Sequence, residues 1–312
     1  MIKKTIVPLT LIALLAACGD TDEDTQPNES EQGEDSNSSD SYTVTDDRGV
    51  EVTFDEKPTT IVSLIPSNTE IIFALGEGEN VVGVTDTDVY PEEVADIEVV
   101  ASFEDINIER LLELDPDVII GYTYSGGDQM APLEDVGLPV FAIDSATSFS
   151  DVFDDIDRIA EVLHVEDSAQ PLIERIQAQL DEVADIVSEV DEKQIYFEIS
   201  PSPELFTPGS ETFQHEIIEA AGLENVFSDL ADWAGISEEQ VIERNPELIA
   251  TTVHYVDDSV EEIKQRSGWD SIDAVINDDV YLLSADIMDR PGPRIGEAVQ
   301  ELAETAYPNL FE

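Results

Sequence analysis

Basic residues are scarce in this chain: 13 Lys and Arg stand against 73 Asp and Glu, for a formal net charge of −60 over 312 residues. A nucleic-acid binder needs a basic footprint to neutralise phosphates, and thirteen scattered cations cannot supply one. Docking to anionic lipid through charge is excluded for the same reason. Cysteine occurs once, at Cys18, which rules out a disulfide framework and any Cys-based zinc site. The three histidines, His164, His215 and His254, lie far apart and fit no metal-ligand spacing. Only His254, at a strand-like end, has a route to a cleft. No Gly-x-Ser-x-Gly elbow occurs, and the glycines of 76–83 (GEGENVVG) are wrongly spaced for a dinucleotide fingerprint. We therefore expect no catalytic residues, no resident metal and no cofactor. With 41% hydrophobic residues and 16 each of Gly and Pro, the chain as a whole is neither disordered nor collagen-like. Its length suits about two domains.

The acidity reads as adaptation to a saline or alkaline exterior, where salt screens self-repulsion. Asp20, Asp22, Asp24 and Glu31 fall at EF-hand positions one, three, five and twelve. However, Thr25 stands where Gly is required and no helical pattern flanks the stretch, so this is a chance match in an acidic segment.

The lone cysteine is explained by its position. A basic start (Lys3, Lys4) precedes an apolar run, 5–17, too short to span a bilayer comfortably. Leu15-Ala16-Ala17-Cys18 resembles the bacterial lipobox, in which the Cys is acylated and becomes the mature N-terminus. Residues 1–17 are thus expected to be a lipoprotein signal peptide and Cys18 the lipidation site. Residues 18–41 contain no large apolar residue and read as an acidic disordered tether. The folded body is expected outside the cell, at the outer face of the membrane (the periplasmic side in a Gram-negative cell).

From Tyr42 two halves repeat each other. Residues 71–81 (IIFALGEGENV) echo 217–226 (IIEAAGLENV), and 106–119 (INIERLLELDPDVI) echo 236–249 (ISEEQVIERNPELI). In both halves short β-branched runs alternate with helical patterns, which predicts α/β lobes with mostly parallel sheets, over 42–167 and 191–312. Between them Ile173, Ile176, Leu180, Val183, Val187 and Val190 recur three and four apart, with Ser168 as a possible cap and Pro171 in the first turn. This predicts one long rigid helix over 168–190, about 34 Å in length, tying the lobes together. A coiled coil would show the same stripe, but the α/β pattern on either side favours a strut.

Ligands of parallel sheets sit at the carboxyl ends of the strands. The loops there carry aromatics and small polar residues, which suits a bulky, partly apolar ligand. The run 61–70 (IVSLIPSNTE), Gly83-Val84-Thr85 leading to Tyr90-Pro91, residues 107–120 and Arg290-Pro291-Gly292-Pro293-Arg294 resemble the substrate-binding lipoproteins of ABC importers for cobalamin and iron chelates. The resemblance covers about residues 42–312. It implies two Rossmann-like lobes bridged by a helix, a shallow cleft and little closure. The Ser67-Asn68-Thr69-Glu70 turn and the Asp286…Arg290 spacing are nearest to the cobalamin branch. Its ligand contacts fall on Thr87, Phe103, Tyr122, Phe206, Trp233, Asp286 and Arg290. Phe103 and Tyr122 replace tryptophans, and Thr87 replaces a tyrosine. Cobalamin is the favoured ligand, with a ferric siderophore or haem as the alternative, and Arg294 is expected to face its own helix. Glu109 and Glu239, equivalent across the repeat, are the implied docking residues for a two-subunit ABC permease with its ATPase. The resemblance implies a monomer. A surface adhesin and an exported enzyme are the rival classes.

Overall fold

The computed structural model describes residues 41–102, 105–123 and 130–311, all within the compact unit Ser39–Glu312. The signal segment, Cys18, the tether up to residue 40 and Phe103 lie outside the described residues.

The chain enters through an antiparallel hairpin, β1 (Tyr42–Thr45) and β2 (Glu51–Phe54). There follow β3 (Ile61–Ser63), α1 (Pro66–Ala74), β4 (Val81–Thr85), β5 (Glu98–Ala101), α2 (Ile108–Leu114) and β6 (Val118–Thr123). The first lobe ends with α3 (Ala131–Glu134), β7 (Val140–Asp144) and α4 (Phe149–Val162). Its five strands form a parallel sheet in the order β5-β4-β3-β6-β7. After the long α5 (Glu166–Val187) come β8 (Lys193–Glu198), β9 (Phe206–Pro208), α6 (Phe213–Ala220), β10 (Leu223–Asn225) and β11 (Trp233–Gly235). The second lobe is completed by α7 (Glu238–Arg244), β12 (Leu248–Thr251), α8 (Ser259–Lys264), α9 (Asp273–Asn277), β13 (Val280–Leu282), α10 (Ala285–Met288) and α11 (Ile295–Ala306). Its parallel sheet runs β10-β8-β12-β13, and β9 pairs with β11 as a separate antiparallel ribbon. The fold is therefore α/β with two parallel sheets, each buried on both faces.

The repeat in sequence is a repeat of helix signals. Asn107 caps α2 by accepting from the Arg110 amide, and Ser237 caps α7 by accepting from the Gln240 amide. Both helices stop on a left-handed residue, Asp115 (φ 48°) and Asn245 (φ 46°). Short polar side chains tolerate that conformation, and the prolines that follow, Pro116 and Pro246, cannot continue a helix. Gly76 and Gly222, at φ 91° and 74°, play the same part after α1 and α6.

Helix α5 begins two residues earlier than its apolar stripe suggests, and it ends at Val187 rather than 190. Ser168 does not cap it. Val165 occupies the cap position, Glu166 and Asp167 meet the positive end of the dipole, and Pro171 sits inside the helix. Its first half buries Ala169, Leu172, Ile173 and Ile176 in the core of the first lobe, whereas Val183 and Val187 enter the core of the second. Leu180, between them, packs against both cores. Each large aliphatic side chain buried this way is worth about 1.5–3 kcal/mol, so the helix holds both lobes as a strut.

Candidate ligand-binding cleft

The carboxyl ends of the two sheets face one another across a cleft. From the first lobe come the β3–α1 turn, Tyr122 at the end of β6, and Ile143 to Ala146 after β7. Pro66 opens α1, where its missing N–H is of no consequence. The Asn68 amide donates to the Gly121 carbonyl at 3.3 Å, and the Thr69 hydroxyl to that of Ser63 at 2.8 Å, so the turn is held to the sheet. From the second lobe come Phe213, Trp233 and the segment Asp289 to Pro291. These residues enclose a recess of about 210 Å³. A second recess of about 450 Å³ is lined by Thr87, Val89, His254, Asp286 and Arg290. The two share Ile65, Ser67, Asp289 and Pro291 and so form one continuous cleft.

Trp233 and Phe206 lie on the same face of the β9–β11 ribbon, because Trp233 pairs with Pro208 and Gly235 with Phe206. Both are exposed, at 37% and 40%. The Trp233 indole donates to Gln214 Oε1 at 3.0 Å and meets the Phe213 ring edge-on at 6.4 Å. Gln214 and Thr252 also stand close to Asp289 and favour its ionised form. The Asp289 carboxyl opens to the cleft yet is crowded by protein, and this desolvation raises its pKa to about 6 against the pull of those polar neighbours.

Arginines near the cleft face other protein groups. Arg290 donates to the Thr87 carbonyl at 2.9 Å, pairs with Asp286 at 2.8 Å and approaches Glu70 at 3.6 Å. Arg294 does not face its own helix. It crosses to the first lobe, meets Glu70 at 2.7 and 2.5 Å and stacks on the Tyr90 ring at 4.0 Å. Burial pushes the Glu70 carboxyl above its ordinary value, and the two guanidiniums pull against that shift. The Phe149 amide also donates to Glu216 at 2.5 Å, from α4 to α6. Together with α5, these ties oppose wide opening or closing.

Of the seven residues proposed from sequence, Tyr122 and Trp233 line the inner recess, and Thr87, Asp286 and Arg290 the outer one. Phe206 stands beside Trp233, and Phe103 lies outside the described residues. His254 lines the outer recess, whereas His164 stacks on Tyr42 and His215 approaches Glu219. Among the described residues no three His, Cys, Asp or Glu converge to hold a metal ion. Glu109 and Glu239 occupy the same position, second in α2 and second in α7, and both are exposed. Each helix runs back along the sheet to feed the next parallel strand, so both carboxylates stand at the cleft end of their lobes. The roles of Glu70, Gln214 and Asp289 were not assigned from sequence, although Glu70 closes the Ser67–Glu70 run that carries the resemblance.

Two parallel-sheet lobes, a bridging helix and a cleft at the strand ends form the frame of a known class of carriers, and a model of the periplasmic binding protein family matches residues 61–287. The chain belongs to that family. The ABC transporter substrate-binding lipoprotein YvrC of Bacillus subtilis is 36% identical over 278 residues, covering 86% of this chain and 87% of that protein. A vitamin B12-binding protein of Yersinia pestis is 31% identical over 248 residues, covering 78% and 85%. The crystal structure of a possible iron-binding (periplasmic solute-binding) protein from Staphylococcus epidermidis matches with a TM-score of 0.72 at 32% identity, covering 81% of this chain and all of that one. As a periplasmic binding protein of the ABC-transporter kind, the chain is a solute-binding protein and not an enzyme.

Proposed function

We propose that this periplasmic binding protein is exported, anchored to the outer face of the membrane by lipid on Cys18, and captures a metal chelate in the interlobe cleft. Cobalamin is the favoured ligand. A ferric siderophore or haem, bound by the same architecture, is the alternative, in keeping with the possible iron-binding protein of Staphylococcus epidermidis that this chain resembles. The metal arrives as part of the ligand and no cofactor is needed. The observation that carries this reading is the aromatic platform of Trp233 and Phe206 beside Tyr122, exposed at the mouth of a cleft between lobes that α5 and the Glu70–Arg294 pair restrain. Large exposed aromatics at such a mouth suit a rigid macrocycle or chelate, which needs wide flat contact rather than engulfment. The loaded monomer then delivers its cargo to a two-subunit permease with its ATPase, one lobe per subunit, through Glu109 and Glu239.

Isothermal titration of the purified protein with cyanocobalamin, ferric siderophores and haemin tests the ligand class. We expect micromolar or tighter binding of one, weakened at least tenfold by Trp233→Ala. Failure of all of them to bind at micromolar concentration would refute chelate capture.

A further inference from the structure

The inner recess has an electrostatic character that neither family membership nor the aromatic platform accounts for. Among the described residues that line it are three carboxylates, Asp144, Asp155 and Asp289, and no Lys, Arg or His. The rest of its wall mixes apolar side chains, among them Ile65, Ile143, Phe213 and Pro291, with the neutral polar groups of Ser67, Asn68, Tyr122 and Ser145. Asp155 is the informative member. It lies on the buried face of α4 with Val152, Ile156 and Ile159 and is only 8% exposed. Among the described residues it makes no hydrogen bond and no ion pair, and Arg158, the nearby cation, is taken by Asp47 at 2.5 Å. Helix packing alone would be served by an alanine or leucine here. A buried carboxyl with no partner among the described residues is costly and rare, and the groups around this one, Asp47, Asp151 and Asp154, repel its charge. Its opening is the recess, so its partner comes from there.

The three carboxylates are spread around the walls rather than converging, consistent with no metal-ligand cluster being present among the described residues. The matching chemistry is therefore an organic hydrogen-bond donor on an apolar stem. At about 210 Å³ the recess takes an arm of a chelate, not the whole of one. Resting on the chelate-capture reading above, we propose that the recess receives an N–H-bearing arm of the ligand, a primary amide or an ammonium, with the Asp155 carboxyl as its buried acceptor. Chelates that would place carboxylates there meet the other two acids of the recess, Asp144 and Asp289, and are rejected. A cationic arm would also lie near the Trp233 ring, whose face attracts it.

Calorimetric titration of the purified wild-type protein and of Asp155→Asn and Asp155→Leu tests this with four probes. Cyanocobalamin carries primary amides, ferrioxamine B a free ammonium, ferrioxamine E the same iron-binding groups without that ammonium, and haemin two carboxylates. If the arm is an ammonium, ferrioxamine B binds at least tenfold more tightly than ferrioxamine E, and both variants abolish the difference. If the arm is an amide, cyanocobalamin is the tight probe and Asp155→Leu weakens it at least tenfold. In either case haemin is the weak probe, and melting temperatures of the variants match or exceed the wild type, since an unpartnered buried carboxyl is removed. Should a chelate bind equally to the wild type and to a folded variant, or haemin bind most tightly, the arm-binding role is overturned while chelate capture stands. If none of the four binds, both fall.

Discussion

Arg294, at the start of the last long helix, lies 2.7 and 2.5 Å from the two carboxylate oxygens of Glu70, more than two hundred residues earlier in the chain. Glu70 is almost fully buried, at 2% side-chain exposure, with Arg290 3.6 Å away as its other ion-pair partner among the described residues. Removing one partner of a buried pair strands the other charge, at a cost of about 3–5 kcal/mol. Arg294→Met should therefore lower stability by that order in urea unfolding. The double variant Arg294→Met, Glu70→Leu should recover most of the loss. A single variant as stable as wild type would show that the pair does not tie the lobes.

Asp155 makes stability depend on pH in an unusual direction. Burial, with repulsion from Asp47 and Asp151, pushes its carboxyl up to about 8 from an ordinary value near 3.8. The folded state thus holds a proton that the unfolded state releases, and stability falls as pH rises between about 4 and 8, by at most about 1.4 kcal/mol per unit from this group. Asp289, raised to about 6, adds to the lower part of the same window. Thermal melting from pH 5 to 8 should slope downwards for wild type and less so for Asp155→Asn. Equal slopes would place the proton elsewhere.

Surface charge predicts a salt response. The chain carries 73 acidic residues against 13 basic ones, and most of both lie in the folded body, which repels itself in dilute buffer. At molar salt the Debye length is about 3 Å and long-range repulsion is screened. Melting temperature should rise steadily with sodium chloride. A flat or falling curve would argue against a saline habitat without touching the transport reading.

The docking assignment predicts a separation of binding from uptake. Glu109→Arg or Glu239→Arg should leave ligand affinity unchanged and abolish uptake by cells, because each would reverse the charge proposed to dock on the permease. Glu113, a turn further along, pairs with Arg110 at 2.7 Å, and Glu113→Arg should be mild. Normal uptake by the Glu109→Arg, Glu239→Arg double variant would end the assignment.

Much of this protein was legible without coordinates, for a local reason. Cap residues, left-handed stops and apolar periods act within a few residues of where they stand, so the echo of 106–119 in 236–249 already specified two equivalent helices feeding two equivalent strands. The loops at the strand ends followed from parallel connectivity, which sets Tyr122 after β6 and the segment after β13 at one cleft, whereas Trp233 reaches it from the antiparallel β9–β11 ribbon. Even locally the reading slipped at α5, where Ser168 looked like a cap and the acids Glu166 and Asp167 start the helix instead.

Sequence by itself determined the fold class, the repeat and the family, because patterning, turn chemistry and motifs are properties of neighbours along the chain. Only the tertiary structure decided which charges meet. That Arg294 crosses to Glu70, that Arg290 is held by Asp286 and the Thr87 carbonyl, and that Asp155 opens into a recess with Asp144 and Asp289 without a partner among the described residues are facts of packing. In a chain with 73 acidic residues no pattern marks the few that lose their water, since desolvation is set by what the fold brings around a group and not by its neighbours in sequence.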